Sequence, residues 1–274
     1  MIRVIPIVAI LATTAVCAAQ EPAAKDAAAR TKAAVEKTRA QKSYSVSFEA
    51  VIRAPDSDPM KIKGETVWIA PGVLFTQYTA SGGEEVRLMR VGEKVWLYHM
   101  LAGEWLSADE IGKPGAGRGV QNPDEVLAAV VKASDQAVLG GKDGVGEILE
   151  MKLDGTALQK VMRQQGAAGS MDWAKSAGTV RLVAGSADGL MYKMQVNADV
   201  ASTDPALKGK TVGYSADVIL KAYNRDFALE FTEFDPKTKK TVTLPWPAAF
   251  LDEAEKLKGI PDELKAEIQR RRKK

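Results

Sequence analysis

A chain of 274 residues, 46% hydrophobic and 27% charged, has the composition of a folded globular protein and suffices for one large or two small domains. Its formal charge is only +3, and its one basic cluster is terminal, Arg270 to Lys274, which argues against a nucleic-acid surface. A single cysteine and a single histidine exclude internal disulfides, CxxC sites and His-rich metal sites.

The chain opens with Arg3 and an apolar run from Val4 to Val16, broken by Pro6, Thr13 and Thr14, and followed by small residues to Ala19. This pattern predicts a secretory signal peptide over residues 1–19. The run is shorter than the ~20 apolar residues that a membrane span needs, and no later segment is long and apolar enough for one. Cys17 has two possible fates. Cleavage after Ala18 or Ala19 leaves a mature chain without a thiol, beginning between Ala18 and Gln20. Lipidation would make Cys17 the anchored first residue of a bacterial lipoprotein. Thr14-Ala15-Val16 fits the lipoprotein pattern poorly, so cleavage and an exported, periplasmic protein are the expectation.

Residues 20–42 are rich in Ala, Lys, Glu and Arg and predict a solvent-facing or loosely packed helix. The period then changes to two. In Ser43 to Ala54, Tyr44, Val46, Phe48, Ala50 and Ile52 share a face. Met60 to Ala70, Val73 to Ala80, Glu84 to Val91 and Lys94 to Met100 complete a predicted five-stranded antiparallel meander. Gly112 to Gly119 reads as a loop. Asn122-Pro123-Asp124-Glu125 reads as a capped start to a helix reaching Ser134, with Val126, Leu127, Val130 and Val131 as its apolar stripe. Gly140 to Gly144 reads as a loop, Val145 to Leu153 as a strand and Asp154 to Gln165 as a helix. Gly166 to Gly178 reads as a loop containing Trp173. Thr179 to Gly185 and Leu190 to Ala201 flank Asp188-Gly189, a strong hairpin signal. Tyr192, Met194, Val196, Ala198 and Val200 alternate without a break in its second arm. A strand with Val212 to Leu220 follows, then a turn at Asn224 into Phe227, Leu229 and Phe231. The sheet is expected to end near Pro245. Helices opened by Pro247 and Pro261 close the chain, so residues 43–247 form the β domain and 248–274 a helical extension.

About ten amphipathic strands exceed what a small flat sheet holds, so the sheet is expected to curve and helices to fill its concave side. The class is α+β, a strongly curved antiparallel half-barrel. Taking the apolar parity of each strand as concave gives an apolar cavity lined by Phe48, Ile52, Trp68, Phe75, Leu88, Tyr192 and Met194.

No catalytic or metal-ligating set emerges, and no cofactor is called for. His99 lies within a strand, opposite in parity to Trp96 and Tyr98, and reads as a surface or satisfied histidine. Gly-x-Ser-x-Gly and the phosphate-loop motif are both missing.

The order of elements does resemble a known family. "KTRAQKSYSVSFEA" follows a helix, a meander ends in "VGEKVWLYHMLAGEWL", and a Pro-started helix, "NPDEVLAAVV", comes next. A hairpin around "SADGLMYKMQV", a strand with "AYNRD" and a finish at "VTLPWP" complete the pattern. The chain resembles the periplasmic lipoprotein-carrier superfamily, of the LolA/LolB and LppX/LprG type, over roughly Lys32 to Pro247. The resemblance implies a half-barrel closed by helices, whose cavity holds acyl chains of lipoproteins or lipids. It carries over no individual functional residue. It implies a non-catalytic carrier, peripheral to the membrane at most, with an acyl chain as ligand and room for an envelope protein partner. The alternative is a structural or interaction protein of the envelope with the same fold, a filled core and the terminal helices as its contact surface.

Overall fold

The computed structural model describes residues 26–108, 123–162, 171–203, 207, 209–225, 227, 229–235 and 238–273. The expected signal peptide, Cys17, the loop at 112–119 and the cap at Asn122 lie outside them.

β1 (Ser43–Arg53), β2 (Met60–Ile69), β3 (Val73–Ala80), β4 (Glu85–Val91), β5 (Lys94–His99) and β6 (Glu104–Ser107) form a first antiparallel run. β7 (Ala137–Lys142), β8 (Gly146–Leu153), β9 (Met171–Gly185), β10 (Met191–Ser202) and β11 (Thr211–Lys221) form a second. The two runs join where β1 pairs with β11, with Phe48 opposite Val218 and Ala50 opposite Ala216. The result is one eleven-stranded sheet in the order β6-β5-β4-β3-β2-β1-β11-β10-β9-β8-β7. It is not closed, and β6 and β7 are its edges. This is the curved α+β half-barrel expected from the alternation. The β9–β10 turn has its expected chemistry: Gly189 takes φ +62°, and the Asp188 carboxylate accepts the Leu190 N–H at 3.0 Å.

Three helices cover the inner face. α1 (residues 26–39) buries Ala27, Thr31, Ala34, Val35 and Thr38, each 4% exposed or less, so it is packed into the core rather than solvent-facing. Its alanines allow this close approach. α2 (Pro123–Ala133) buries Val126, Leu127 and Val130, and α3 (Gly155–Met162) buries Leu158, Val161 and Met162. Both meet the inner side chains of the strands in one cluster. Arg39 of α1 holds Asp124 through two hydrogen bonds of 2.7 and 3.0 Å, and Arg90 of β4 donates to Glu125 at 3.1 Å. These anions belong in the first turn of α2, where the helix dipole favours them.

The outer face of the first run is covered too. α4 (Ala248–Lys256) and α5 (Asp262–Arg272) press Phe250, Leu251, Ala254, Leu264 and Ile268 onto Ile69, Val73, Phe75, Met89, Val91 and Trp96. Residues 248–273 therefore share a core with the sheet. Arg271 is pinned among Glu267, the Leu229 carbonyl and the Trp246 ring, whose centroid lies 4.2 Å from its guanidinium carbon.

Several sequence expectations change. Met171 to Gly178 is the first half of β9 rather than a loop, and Gly140-Gly141-Lys142 belongs to edge strand β7. β7 escapes notice because glycines interrupt its alternation and its register shifts between Leu139 and Gly141. β6 (Glu104–Ser107) adds a short edge strand beyond the five of the expected meander. Leu229 and Phe231 are outside any strand, and the chain then makes a separate hairpin, β12 (Thr232–Asp235) with β13 (Lys240–Thr243). The main sheet thus ends at Lys221.

Candidate ligand cavity

The inner face is not filled along its whole length. Between the sheet, α2, α3 and the start of β9 lies an apolar cavity of about 410 Å³. Its sheet wall is built from side chains of one parity on five neighbouring strands, as the pleat requires. β1 contributes Val46, Phe48, Ala50 and Ile52, and β2 contributes Met60, Ile62 and Thr66. Thr76 and Tyr78 come from β3, Met194 and Val200 from β10, and Val212, Tyr214, Val218 and Leu220 from β11. Pro123, Val126 and Leu127 of α2 and Met162 of α3 form the roof, with Met171 and Trp173 of β9 at its side. Met60 is 42% exposed and stands at the rim, whereas Val46, Val126, Leu127, Met194 and Leu220 are buried.

Gly64 shapes the wall. It faces Phe48 on one side and Tyr78 on the other, and a Cβ there would come within 2.8 Å of the Phe48 ring and closer still to β3. The missing side chain lets the Phe48 ring lie against the sheet, where it would otherwise be forced into the cavity.

Among the described residues, no lysine, arginine, histidine or carboxylate borders the cavity. Its polar side chains are the hydroxyls of Thr66, Thr76, Tyr78 and Tyr214 and the indole of Trp173. The hydroxyls of Thr66 and Thr76, directly paired across β2 and β3, hydrogen-bond each other at 2.9 Å. Burial pushes the Tyr78 phenol upward, with Glu84 adding to the shift, so it stays protonated at neutral pH.

Of the residues expected from sequence, the structure brings Phe48, Ile52 and Met194 together at the cavity. Trp68 is on the same face but beyond its end, stacked on Tyr44 with centroids 4.9 Å apart. Leu88 is fully buried, outside the lining, on the strand next to Thr76. Phe75 points to the outer face, where Trp246 and Phe250 enclose it. Its strand is buried on both sides from Val73 to Thr76, so parity alone could not tell the faces apart. Tyr192 is displaced by a register shift between Met191 and Lys193. Met191 and Met194 both point inward, while Tyr192 packs on Tyr223 and donates to the Asp188 carboxylate. The sequence reading missed the roof residue Met162 and the Trp173 wall; the latter sat in a segment read as a loop.

A second cleft, about 640 Å³ and more polar, lies between α5 and the segment after β11, with Lys42, Arg225, Glu230 and Glu263 on its walls. His99 is exposed and accepts the Ala102 N–H through Nδ1 at 3.1 Å, as a turn-stabilising residue. Among the described residues, no cluster of His, Cys, Asp and Glu could hold a metal ion, and no helix is long and apolar enough to cross a membrane.

No family model matches the sequence, and no curated protein matches it. Among solved structures, it is similar to the lipoprotein LppX of Mycobacterium tuberculosis, at 11% identity and TM-score 0.47, over 75% of this chain and 98% of that one. LprF of Mycobacterium bovis gives 10% identity and TM-score 0.43, over 75% and 96%. A LolA-superfamily protein of Nitrosomonas europaea gives 13% identity and TM-score 0.30, over 70% and 92%.

Proposed function

We propose that this chain is a non-catalytic carrier of the cell envelope that holds an acyl chain of a lipid or lipoprotein in the inner cavity. The observation that carries this reading is the cavity itself: 410 Å³ of space with a mostly apolar wall and, among the described residues, no charged side chain on it. Such a space suits a hydrocarbon chain and repels an ion. A methylene needs about the room of a water in the liquid, roughly 30 Å³, so the cavity takes about a dozen of them. Each one buried contributes about 0.8 kcal/mol. Methionines at its rim, side and roof, Met60, Met171, Met162 and Met194, adapt to chains of varied shape. Export through residues 1–19 would place the carrier where such chains need a shield from water.

Native mass spectrometry of the purified protein, followed by lipid extraction, tests the reading. The expected result is one co-purified acyl species per chain. Protein that emerges lipid-free and takes up no added acyl lipid contradicts it and leaves the structural role.

A further inference from the structure

We infer that the cavity selects a neutral chain carrying a hydrogen-bond acceptor, an acyl ester or its equivalent, and that the Thr66–Thr76 hydroxyl pair is what reads the acceptor. This rests on the cavity being the ligand site and concerns which chains it prefers.

The argument is a count of donors. Thr66 and Thr76 are 5% and 3% exposed, and both border the cavity. A hydroxyl carries one donor hydrogen and two acceptor lone pairs. The pair therefore holds two O–H groups, and the 2.9 Å bond between them uses one. Neither hydroxyl makes another hydrogen bond among the described residues. One O–H is left over in this buried pair, and a buried donor without an acceptor is costly. A plain hydrocarbon would leave that cost in place and also displace any water that relieved it. A carbonyl oxygen on the bound chain removes it.

Charge narrows the class further. A carboxylate would be a strong acceptor, but among the described residues no cation borders the cavity to offset its lost hydration. The acceptor that fits is uncharged. Position adds a constraint. Thr66 lies six residues along β2 from Met60 at the rim, about 20 Å at the usual rise per residue. The acceptor is thus met about 20 Å from Met60, near where Trp68 and Tyr44 close the face, so it is one carried along or at the far end of the chain and not the linkage to a head group at the rim.

The test compares three probes of nearly equal length, methyl laurate, pentadecane and laurate. Each displaces an apolar naphthylamine fluorophore from the full chain at neutral pH. Relative to pentadecane, whose extra methylenes favour it by themselves, methyl laurate is expected to bind about five-fold more tightly in the wild type than in a protein without the hydroxyl pair, the worth of one net hydrogen bond, with laurate the weakest. The double variant Thr66→Val/Thr76→Val replaces both partners with groups of the same shape. It should bind pentadecane at least as well as the wild type and lose that relative gain for the ester. The single variant Thr66→Val, which leaves the Thr76 hydroxyl free to donate, should keep it. An ester-to-alkane affinity ratio no higher in the wild type than in the double variant overturns the inference while leaving the carrier reading intact. So does laurate binding as tightly as its ester. Failure of all three probes to displace the fluorophore removes the cavity reading itself.

Discussion

Phe75 and Thr76 are neighbours on β3 and face two differently built interiors. On the outer side, Phe75 is surrounded by aromatic rings: Trp246 at 5.0 Å, Phe250 at 5.6 Å and Phe231 at 6.3 Å between centroids. Phe250 meets Trp96 and Trp246 edge-on as well. Large rings in such contacts fill space, and each adds a little beyond its buried area. On the inner side, Thr76 and Tyr78 border the 410 Å³ cavity, walled mostly by valine, isoleucine, methionine and alanine. The sheet separates a closed aromatic core from an aliphatic interior that is left unfilled. Some of the aromatic residues that look like a binding surface in the sequence, Trp68 and Phe75, are thus spent on packing, whereas Phe48 borders the cavity.

The sharpest way to break this comparison is to attack α2. Val130 is 1% exposed and belongs to the inner cluster, on the side of α2 that faces the sheet. Val130→Asp buries a carboxyl without a partner and is expected to cost about 4–5 kcal/mol. Urea unfolding measures it. A loss below about 1 kcal/mol, the size of an ordinary surface substitution, would show that α2 is a loose cover and not part of the core.

A gentler pair of substitutions sharpens the contrast. Val73 is fully buried on the outer face, and Val218 borders the cavity. Val73→Phe must force a ring into filled space and should cost about 1–3 kcal/mol. Val218→Phe has room to enter and should change stability by less than about 1 kcal/mol while abolishing uptake of an acyl chain. Equal costs at the two sites would mean that the inner face is as full as the outer.

Much of this was legible in the sequence, and the parts that were not share a cause. The Asp188-Gly189 turn and the alternation of β10 from Met194 onward are plain, because that stretch has one buried side. The stripe on α2 is equally plain. β3 is different: Val73, Leu74, Phe75 and Thr76 are all buried, since helices lie on both faces, and the period of two vanishes. The fault lay in the assumption that α4 and α5 are an extension, which left the outer face uncovered and made Phe75 look inward. Tyr192 failed for a separate reason, a one-residue slip in β10 that no local residue type announces. The cavity residues Thr66, Thr76 and Val218 carry no sequence signal of their own. They become a site only when β1 pairs with β11 and brings residues about 170 positions apart side by side, as Phe48 and Val218 are.

The smallest expected effect concerns the acid sensitivity of the outer covering. Hydrogen bonds from Arg270 and Arg271 hold the Glu267 carboxyl below its ordinary range, against a smaller opposing effect of burial. Its folded value is thus lower than its unfolded one. The stability it contributes is present above the unfolded value, about 4.3, and is lost as pH falls through the folded one. The wild type should exceed Glu267→Gln by about 0.5–1 kcal/mol at neutral pH, and the difference should fade on acidification below the carboxylate range. A difference that stays constant with pH would assign the effect to packing of α5.

The central claim is that the inner face leaves a space that an acyl chain fills, and one titration tests it most directly. The full chain and its Val218→Phe variant are each titrated with the apolar naphthylamine fluorophore and then with methyl laurate. The account predicts saturable uptake of one fluorophore per wild-type chain, displacement by methyl laurate, and loss of both in a variant that still unfolds cooperatively at nearly the wild-type midpoint. Uptake that does not saturate, or that is unchanged by Val218→Phe, would contradict it.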